Sequence, residues 1–252
     1  MKDNELEYII KVLKIANLLK IENVIFEPNI VRGMDNNQSI VLFQDQNVPS
    51  FEFGSIGINR IDLFLSRINL LQGTKFNVEY VTTGEDTSIG YSQYDPKIHN
   101  FQPMWVRSLT LSSPKTSIDY RATNPTIIKV PKKRADINKF SCSMSQEIVD
   151  VIQKGKSAMK TDLVTFKGTP KQLIIHITDI NNDTLKFNSG KQIKLTNDTE
   201  IASLEFNYGY SIDTILQLFK NNPTDEFFIT AKGFLCYNFN NIDIYIAPKT
   251  NT

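Results

Sequence analysis

The chain has few of the residues from which catalytic and metal-binding sites are built. Its 252 residues include two cysteines and two histidines. Neither His99 nor His176 has a cysteine or second histidine at ligand spacing, which argues against a zinc site. Cys142 and Cys236 lie in apolar runs, as expected of buried thiols in a reducing compartment. No nucleophile–base pair, carboxylate pair or metal cluster stands out, so we expect no enzymatic activity and no cofactor.

Long hydrophobic runs are also missing. None approaches the roughly 20 residues of a membrane-spanning helix, and the first residues lack the short apolar block of a signal peptide. We therefore expect an intracellular protein without membrane contact. The formal net charge is only +1, so a surface for nucleic acid must be a local basic patch. The 40% apolar content supports one large domain or two of ordinary size.

A phosphate-binding loop is incomplete, although Gly155-Lys156-Ser157 reproduces the last three residues of the nucleotide-binding signature. That signature needs an earlier glycine where this chain has Asp150. The residues before it, 144–149, are typical of a helix start and not of a strand that feeds a loop. The triplet therefore favours a helix surface, with nucleotide binding as the alternative.

What the sequence does contain is a repeated order of helices and strands. Apolar spacing predicts four helices, at Glu5–Lys20, Asn59–Leu71, after a Ser145 cap, and at Ser211–Asn221. The second and fourth share a lead-in, "FGSIGINRIDLFL" and "YGYSIDTILQLF". Strands are predicted at Ile21–Pro28, Ile40–Gln44, Phe51–Ile58, Phe76–Thr82, Arg107–Leu111, Ser117–Ala122, Phe140–Met144, Leu163–Lys167, Leu173–Asp179, Thr184–Phe187, Gln192–Leu195, Ile201–Asn207, Glu226–Ala231, Phe234–Phe239 and Ile242–Ala247.

Two helices and two groups of strands per copy predict α+β domains, in which the helices cover one face of antiparallel sheets. We place the first domain at 1–123, a connector at 124–138 and the second domain at 139–252. The connector is polar, contains Pro125 and Pro131, and ends near the basic run Lys132–Arg134. That run is either a solubilising loop or a nuclear import signal.

Several segments in this order resemble the sliding clamps of DNA replication, the family of proliferating cell nuclear antigen and the T4-like phage clamps. "NKFSCSMSQEIVDVI" resembles the strand and helix that open the family's second domain, and "DIYIAPK" its C-terminal strand and tail. "NSGKQIKL" resembles its subunit-interface strand, and "VRGMDNNQSIVLF" a strand-turn-strand of its first domain. The resemblance covers nearly the whole chain and is weakest at Gly84–Met104.

The resemblance implies a ring of three identical subunits, each with two such domains. Sheets would form the outer wall, and helices would line a hole for double-stranded DNA. A DNA polymerase and a clamp loader would bind through peptide motifs. The ring would act as a processivity factor at sites of replication, in a host cell if the source is a virus or phage, or in a nucleus.

Basic residues on the predicted helices are the expected DNA contacts. Flexible charges that hold phosphates without reading bases suit a sliding protein, although such lysines are also common on solvated helix faces. Asp150 and Gln153 stand where family members tend to have basic residues, which weakens the expectation for that helix. The proposed set is Lys11, Lys14, Lys20, Arg60, Arg67, Lys154, Lys156, Lys160 and Lys220.

The resemblance also implies a peptide pocket and a subunit interface. The matching pocket positions are Met34, Gln38, Ser39, Ile127, Ile128, Tyr245, Ala247 and Pro248. The two adjacent isoleucines either line this pocket or pack on their own sheet. At the interface, Ser117–Ala122 would meet Lys191–Leu195 of a neighbour, which would satisfy both strand edges. The interface residues are Ser117, Ile118, Asp119, Tyr120, Arg121, Lys191, Gln192, Ile193, Lys194 and Leu195.

Two other functions stay open on the sequence. One is a monomeric polymerase or transcription accessory factor with the same fold that forms no ring. The other is a β-rich viral structural or carbohydrate-binding protein, which would show no salt-dependent contact with DNA.

Overall fold

The chain divides into two compact units, Met1–Arg134 and Ala135–Thr252. The computed structural model describes residues 1–71, 77–132, 134, 138–169, 172–190, 193–195, 205–221 and 225–249. Each unit contains a pair of helices packed against each other, together with antiparallel sheets. The predicted α+β class is therefore confirmed. The boundary between the units falls within the predicted connector, 124–138.

The first unit contains helices α1 and α2 and strands β1 to β7. Its helices are α1 (Asp3–Leu18) and α2 (Ile61–Leu70). Its strands are β1 (Asn23–Glu27), β2 (Ile30–Met34), β3 (Ile40–Gln44), β4 (Ile56–Ile58), β5 (Asn77–Thr83), β6 (Trp105–Ser113) and β7 (Thr116–Arg121). Within this unit the strand orders are β3-β2-β1-β4 and β5-β6-β7. Strand β7 is thus the end strand of its sheet.

The second unit repeats the pattern with helices α3 and α4 and strands β8 to β16. Its helices are α3 (Gln146–Met159) and α4 (Ile212–Phe219). Its strands are β8 (Asn138–Ser143), β9 (Leu163–Thr169), β10 (Gln172–Thr178), β11 (Thr184–Asn188), β12 (Lys194–Leu195), β13 (Phe206–Ser211), β14 (Glu226–Thr230), β15 (Leu235–Phe239) and β16 (Ile242–Ile246). Within this unit the strand orders are β12-β8-β14-β15-β16 and β11-β10-β9-β13.

The helices form where apolar spacing predicts them, and they end for identifiable reasons. In α1 the buried face includes Leu6, Ile9 and Leu13. The helix ends earlier than predicted, at Leu18, and Lys20 adopts a left-handed conformation with φ 56° that cannot continue it. Ser145 and Ser211 cap the starts of α3 and α4, because each hydroxyl accepts a hydrogen bond from a first-turn amide.

Four predicted strands need correction or restriction. The strand predicted at Phe51–Ile58 is wrong in its first half, since only Ile56–Ile58 is extended. The Gly54 amide donates to the Phe51 carbonyl, and Gly54 has φ 74°, which closes a turn there. Three other predicted strands extend beyond the described residues, which exclude residues 201–204 of Ile201–Asn207, residue 76 of Phe76–Thr82 and residue 192 of Gln192–Leu195.

A buried ion pair ties the first sheet to the residues around Ser92. Arg32 pairs with Glu27, and both side chains are almost completely buried. Glu27 accepts hydrogen bonds from the backbone amide and the hydroxyl of Ser92, while Arg32 donates to the Pro131 carbonyl at 2.9 Å. This pair therefore fixes part of Gly84–Met104, the segment in which the sequence resembles clamps least.

The two cysteines are buried in separate positions of the second unit. Cys142 on β8 lies opposite Phe227 of β14, and Cys236 on β15 lies opposite Phe228. The two thiols are on strands separated by β14, about 10 Å apart, which is too far for a disulfide. Burial raises the pKa of the Cys142 thiol to about 12.

The residues after β16 are held against the rest of the second unit. Lys249 donates through its amide to the Gly209 carbonyl at 2.8 Å and through Nζ to Asp162 Oδ2 at 2.9 Å. Asp162 also accepts hydrogen bonds from the Ser211 hydroxyl and the Asp213 amide, at the start of α4. One carboxylate therefore anchors both a helix start and the C-terminal segment.

Candidate nucleic-acid interface and partner sites

Helix α1 presents its lysines on the side opposite its buried face. Lys11 and Lys14 are exposed, as is Lys20 just after the helix. In the described part of the chain none of the three forms an ion pair or a side-chain hydrogen bond. Their charges are thus available to an anionic partner.

Arg60, which directly precedes α2, and Arg67 within α2 both form contacts inside their own unit. Arg60 donates to the Arg121 carbonyl at 2.8 Å, and Arg67 donates to the Asp119 carbonyl at 3.0 Å. Both guanidinium groups lie near the ring of Tyr120, 5.2 and 5.8 Å from its centroid. The two arginines therefore connect α2 to β7, a contact that sequence reasoning missed because it joins distant parts of the chain.

Helix α3 contains the Gly155-Lys156-Ser157 triplet inside its regular hydrogen-bonded turns. Backbone amides within a helix are already bonded, so they cannot surround a phosphate as a binding loop does. Gly155 has a packing role instead, because a Cβ there would lie 2.3 Å from Ile177 Cδ1 of β10. The triplet is therefore part of a regular α-helix and not of a phosphate-binding loop.

The lysines of the second unit differ in whether they form an ion pair within the protein. Lys156 pairs with Asp213 of α4, and this hydrogen bond raises the lysine pKa above its ordinary value. Lys154, Lys160 and Lys220 are exposed. Lys160 ends α3 in a left-handed conformation with φ 49°, as Lys20 follows α1. Among the described residues, six of the nine predicted DNA contacts have no ion pair or side-chain hydrogen bond: Lys11, Lys14, Lys20, Lys154, Lys160 and Lys220.

Part of the predicted peptide pocket comes together within the first unit. A pocket of about 310 Å³ is lined by Asn23, Met34, Asp35, Asn36, Gln38, Ile127, Ile128 and Lys129. Ile127 is 72% exposed, whereas Ile128 is 8% exposed and packs near Gly57. The exposed Ile127 thus fits the pocket interpretation, whereas the buried Ile128 fits packing on its own sheet. Ser39 instead donates to the carboxylate of Asp35, which also binds the Ile40 amide and orders the turn.

The remaining predicted pocket residues lie at the end of the second unit. Tyr245 is on β16 and is 4% exposed, with its hydroxyl 3.4 Å from Asp243 Oδ2. Ala247 and Pro248 follow the strand and are half-buried. The burial of Tyr245 makes it a packing residue of its own unit.

The predicted interface segments include a strand at the edge of a sheet in each unit. Ser117, Ile118, Asp119, Tyr120 and Arg121 all lie on β7. In the second unit, Lys194 and Leu195 form β12 and pair with β8, and Ile193 precedes them. Lys191 and Gln192 are outside the described residues. Strand β11 is another end strand, which the interface prediction did not include.

The described residues contain neither a metal-binding cluster nor a helix suited to span a membrane. They contain no group of three or more histidine, cysteine or acidic side chains that could hold a metal ion. Across the same residues, no helix is both long and apolar enough to cross a membrane.

The chain is similar in structure to solved sliding clamps. One is proliferating cellular nuclear antigen from Entamoeba histolytica, with 12% identity, 95% of each chain covered and a TM-score of 0.56. Another is A. fulgidus PCNA, solved with the C-terminal region of FEN-1, with 13% identity, 96% and 97% covered and a TM-score of 0.56.

A bacterial clamp gives a similar result over part of its length. The Helicobacter pylori beta clamp bound to a DNA ligase peptide has 12% identity and a TM-score of 0.61. The match covers 96% of this chain and 65% of the bacterial one. No protein-family model and no curated protein sequence matches the chain. The structural likeness nevertheless extends over nearly every residue, and the chain has the fold of the DNA sliding clamps.

Proposed function

We propose that the chain is a DNA sliding clamp, a ring of three copies that encloses duplex DNA and tethers the replicative polymerase. It would act inside the cell at sites of replication, without catalytic activity of its own. The clamp fold over nearly the whole chain supports this function. The PCNA and beta clamp structures that contain FEN-1 or DNA ligase segments support a peptide-binding role for the same fold.

The observation that carries the proposal is a set of exposed lysines on or beside the helices of each unit, which form no ion pair with any residue that the structure describes. Lys11 and Lys14 represent the first unit, and Lys154 and Lys160 the second. Lysine charges attract phosphates regardless of base sequence, and this attraction weakens as salt rises. Such contacts allow a protein to move along DNA. With a formal net charge of +1, the chain as a whole attracts phosphate little, so the attraction must come from these individual lysines.

The pocket beside Ile127 is our candidate for the polymerase and loader peptides. Its lining combines the exposed Ile127 side chain with the amides of Asn36 and Gln38 and the charge of Lys129. A peptide with an apolar anchor and an acidic neighbour fits this chemistry.

The mass in solution tests the ring directly. Light scattering over a concentration series should give about three times the 28.8 kDa of one chain. A mass of one chain at every concentration would contradict the ring and favour the monomeric accessory factor.

Matched lysine variants test the DNA surface. Replacing Lys11, Lys14 and Lys154 by alanine should reduce clamp-dependent DNA synthesis about tenfold or more, because phosphate contacts add up. The control replaces Lys97, Lys115 and Lys186, which are exposed outside the helices. Both variants change the net charge equally. Equal synthesis by the two would show that the helices do not face DNA.

A further inference from the structure

Two arginines, Arg60 just before α2 and Arg67 within it, contact the outer edge of β7. We infer that Arg60 and Arg67 hold this edge ready to pair with a second copy of the chain, and are not DNA contacts. The inference rests on the proposed ring and assigns these residues to its subunit interface.

The register of β7 shows which of its backbone groups face away from β6. The Ala122 amide donates to the Arg107 carbonyl at 3.0 Å, which marks one hydrogen-bonded position of the ladder. In an antiparallel pair such positions alternate with positions whose N–H and C=O point the other way. Counting back along the paired strands, the backbone groups of Ser117, Asp119 and Arg121 point toward the outer edge.

The arginines bind two of these outward groups. Arg67 donates to the Asp119 carbonyl and Arg60 to the Arg121 carbonyl, at 3.0 and 2.8 Å. Between these positions the ring of Tyr120 is fully buried and lies near both guanidinium groups. Consecutive outward carbonyls are thus bound by side chains from one helix and from the residue directly before it.

This arrangement holds an otherwise weakly supported strand. Within Thr116–Arg121 only Tyr120 is buried, so packing alone provides little to hold the strand in place. A carbonyl oxygen has two lone pairs, so a carbonyl bound by arginine can still accept from a neighbouring strand. The outward N–H groups of Ser117, Asp119 and Arg121 point away from β6 and can donate to that strand. The edge therefore remains competent to pair while its shape is fixed.

The same contacts make the arginines poor candidates for phosphate binding. Each guanidinium group is directed to β7 by a carbonyl and by an aromatic ring, an arrangement that stabilises the cation in place. Lys11 and Lys14 of the same unit have no such contacts among the described residues. The unit thus offers two classes of basic residue, one bonded to β7 and one without such bonds among the described residues.

Three double variants separate these roles. Arg60→Ala with Arg67→Ala removes the contacts and the charge, and Arg60→Lys with Arg67→Lys keeps the charge but loses the planar fork. Lys11→Ala with Lys14→Ala is the control that removes two charges from the same unit. Self-association is measured by sedimentation velocity, and clamp-dependent DNA synthesis is measured at protein concentrations where each variant is assembled.

The expected result is weaker self-association of both arginine variants, about tenfold for the alanine pair, because two charge-assisted hydrogen bonds that order the edge are lost. The control should associate like the wild type. Once assembled, the variant with lysine at both arginine positions should support normal synthesis. Unchanged or tighter association of the arginine variants, with synthesis reduced as in the control, would overturn the inference.

Amide hydrogen exchange provides a second test that needs no variant. In the assembled wild type, the amides of Ser117, Asp119 and Arg121 should exchange slowly, and dilution to the monomer should remove this protection. Fast exchange in the assembled protein would contradict pairing at β7. A wild type that never assembles contradicts the ring itself, whereas an assembled wild type with unaffected arginine variants contradicts only the role of the arginines.

Discussion

At the scale of single residues, the adjacent Ile127 and Ile128 differ sharply in solvent exposure. Ile127 is 72% exposed and Ile128 is 8% exposed, because a short 3-10 turn at Pro125–Ile127 ends between them. Asn124 caps this turn by accepting from the Thr126 amide. The sequence could predict that two isoleucines in a polar connector need cover, but only the turn decides which one packs inside.

Ile127→Ala should weaken binding of a peptide from the cognate polymerase. Burying an isoleucine side chain contributes about 1.5–3 kcal/mol, so truncation should raise the Kd about tenfold, as calorimetry would show. The fold should be unaffected, since the side chain is exposed. Ile180→Ala is the control, because Ile180 is 97% exposed and lies outside the pocket. Equal affinities for both variants would place the peptide elsewhere.

The sequence could not predict which residues form ion pairs or hydrogen bonds with the basic side chains of the site. Lys156 pairs with Asp213, and Arg67 binds the backbone of Asp119, each across more than fifty positions of the chain. A helical pattern predicts which side of a helix a charge occupies, but not which residue of another element it meets. Six predicted DNA contacts therefore keep their expected exposure, while three have partners within the protein.

At the scale of elements, helices were predicted more closely than strands. The apolar periodicity places the three helices predicted with both bounds within about two residues of their observed ends, and the predicted Ser145 cap gives the start of α3, since one buried face fixes the phase of a helix. Strand ends depend on turns, as at Gly54, where a positive φ interrupts the predicted strand. Strand pairing is a tertiary property, so the end position of β11 was not foreseen.

Asp162 offers a test of how the elements of the second unit are held together. Partial burial opposes its ionisation, but hydrogen bonds from Lys249, the Asp213 amide and Ser211 outweigh this and lower its pKa below the ordinary 3.8. Because the pKa is lower in the folded protein, the ionised carboxylate stabilises the fold at pH values above the pKa of the unfolded chain. This contribution is lost as the pH falls through the folded-state pKa. The anchor should therefore weaken only below about pH 4.

Asp162→Asn should loosen the anchor at neutral pH. We expect the free energy of unfolding to fall by about 1 kcal/mol, a value kept small because the Lys249 pair is partly exposed, and the acid-dependent loss near pH 4 should shrink. Denaturant titrations at about pH 7 and about pH 3.5 measure both effects. Glu226→Gln, at an exposed strand position, is the control. An unchanged pH dependence in the Asp162 variant would show that another carboxylate is responsible.

At the scale of the whole molecule, the proposed ring would be retained on DNA by its closure and not by its affinity. Phosphate contacts by lysines weaken steeply with salt, whereas a closed ring can leave only over a free end. Once loaded, the protein should stay on nicked circular DNA at salt concentrations that abolish simple binding, and cutting the circle should release it. Gel filtration of labelled DNA before and after cutting measures this. Equal loss from circular and linear DNA would contradict a closed ring.

The burial of both native thiols has a practical consequence for such experiments. Cys142 and Cys236 are the only cysteines of the chain and are 1% and 3% exposed. A cysteine introduced on the surface of β7 would therefore be the single accessible attachment point for a fluorophore or crosslinker. A crosslinker at this cysteine could hold the assembled protein together, and a fluorophore there could report on assembly, without first replacing a native cysteine.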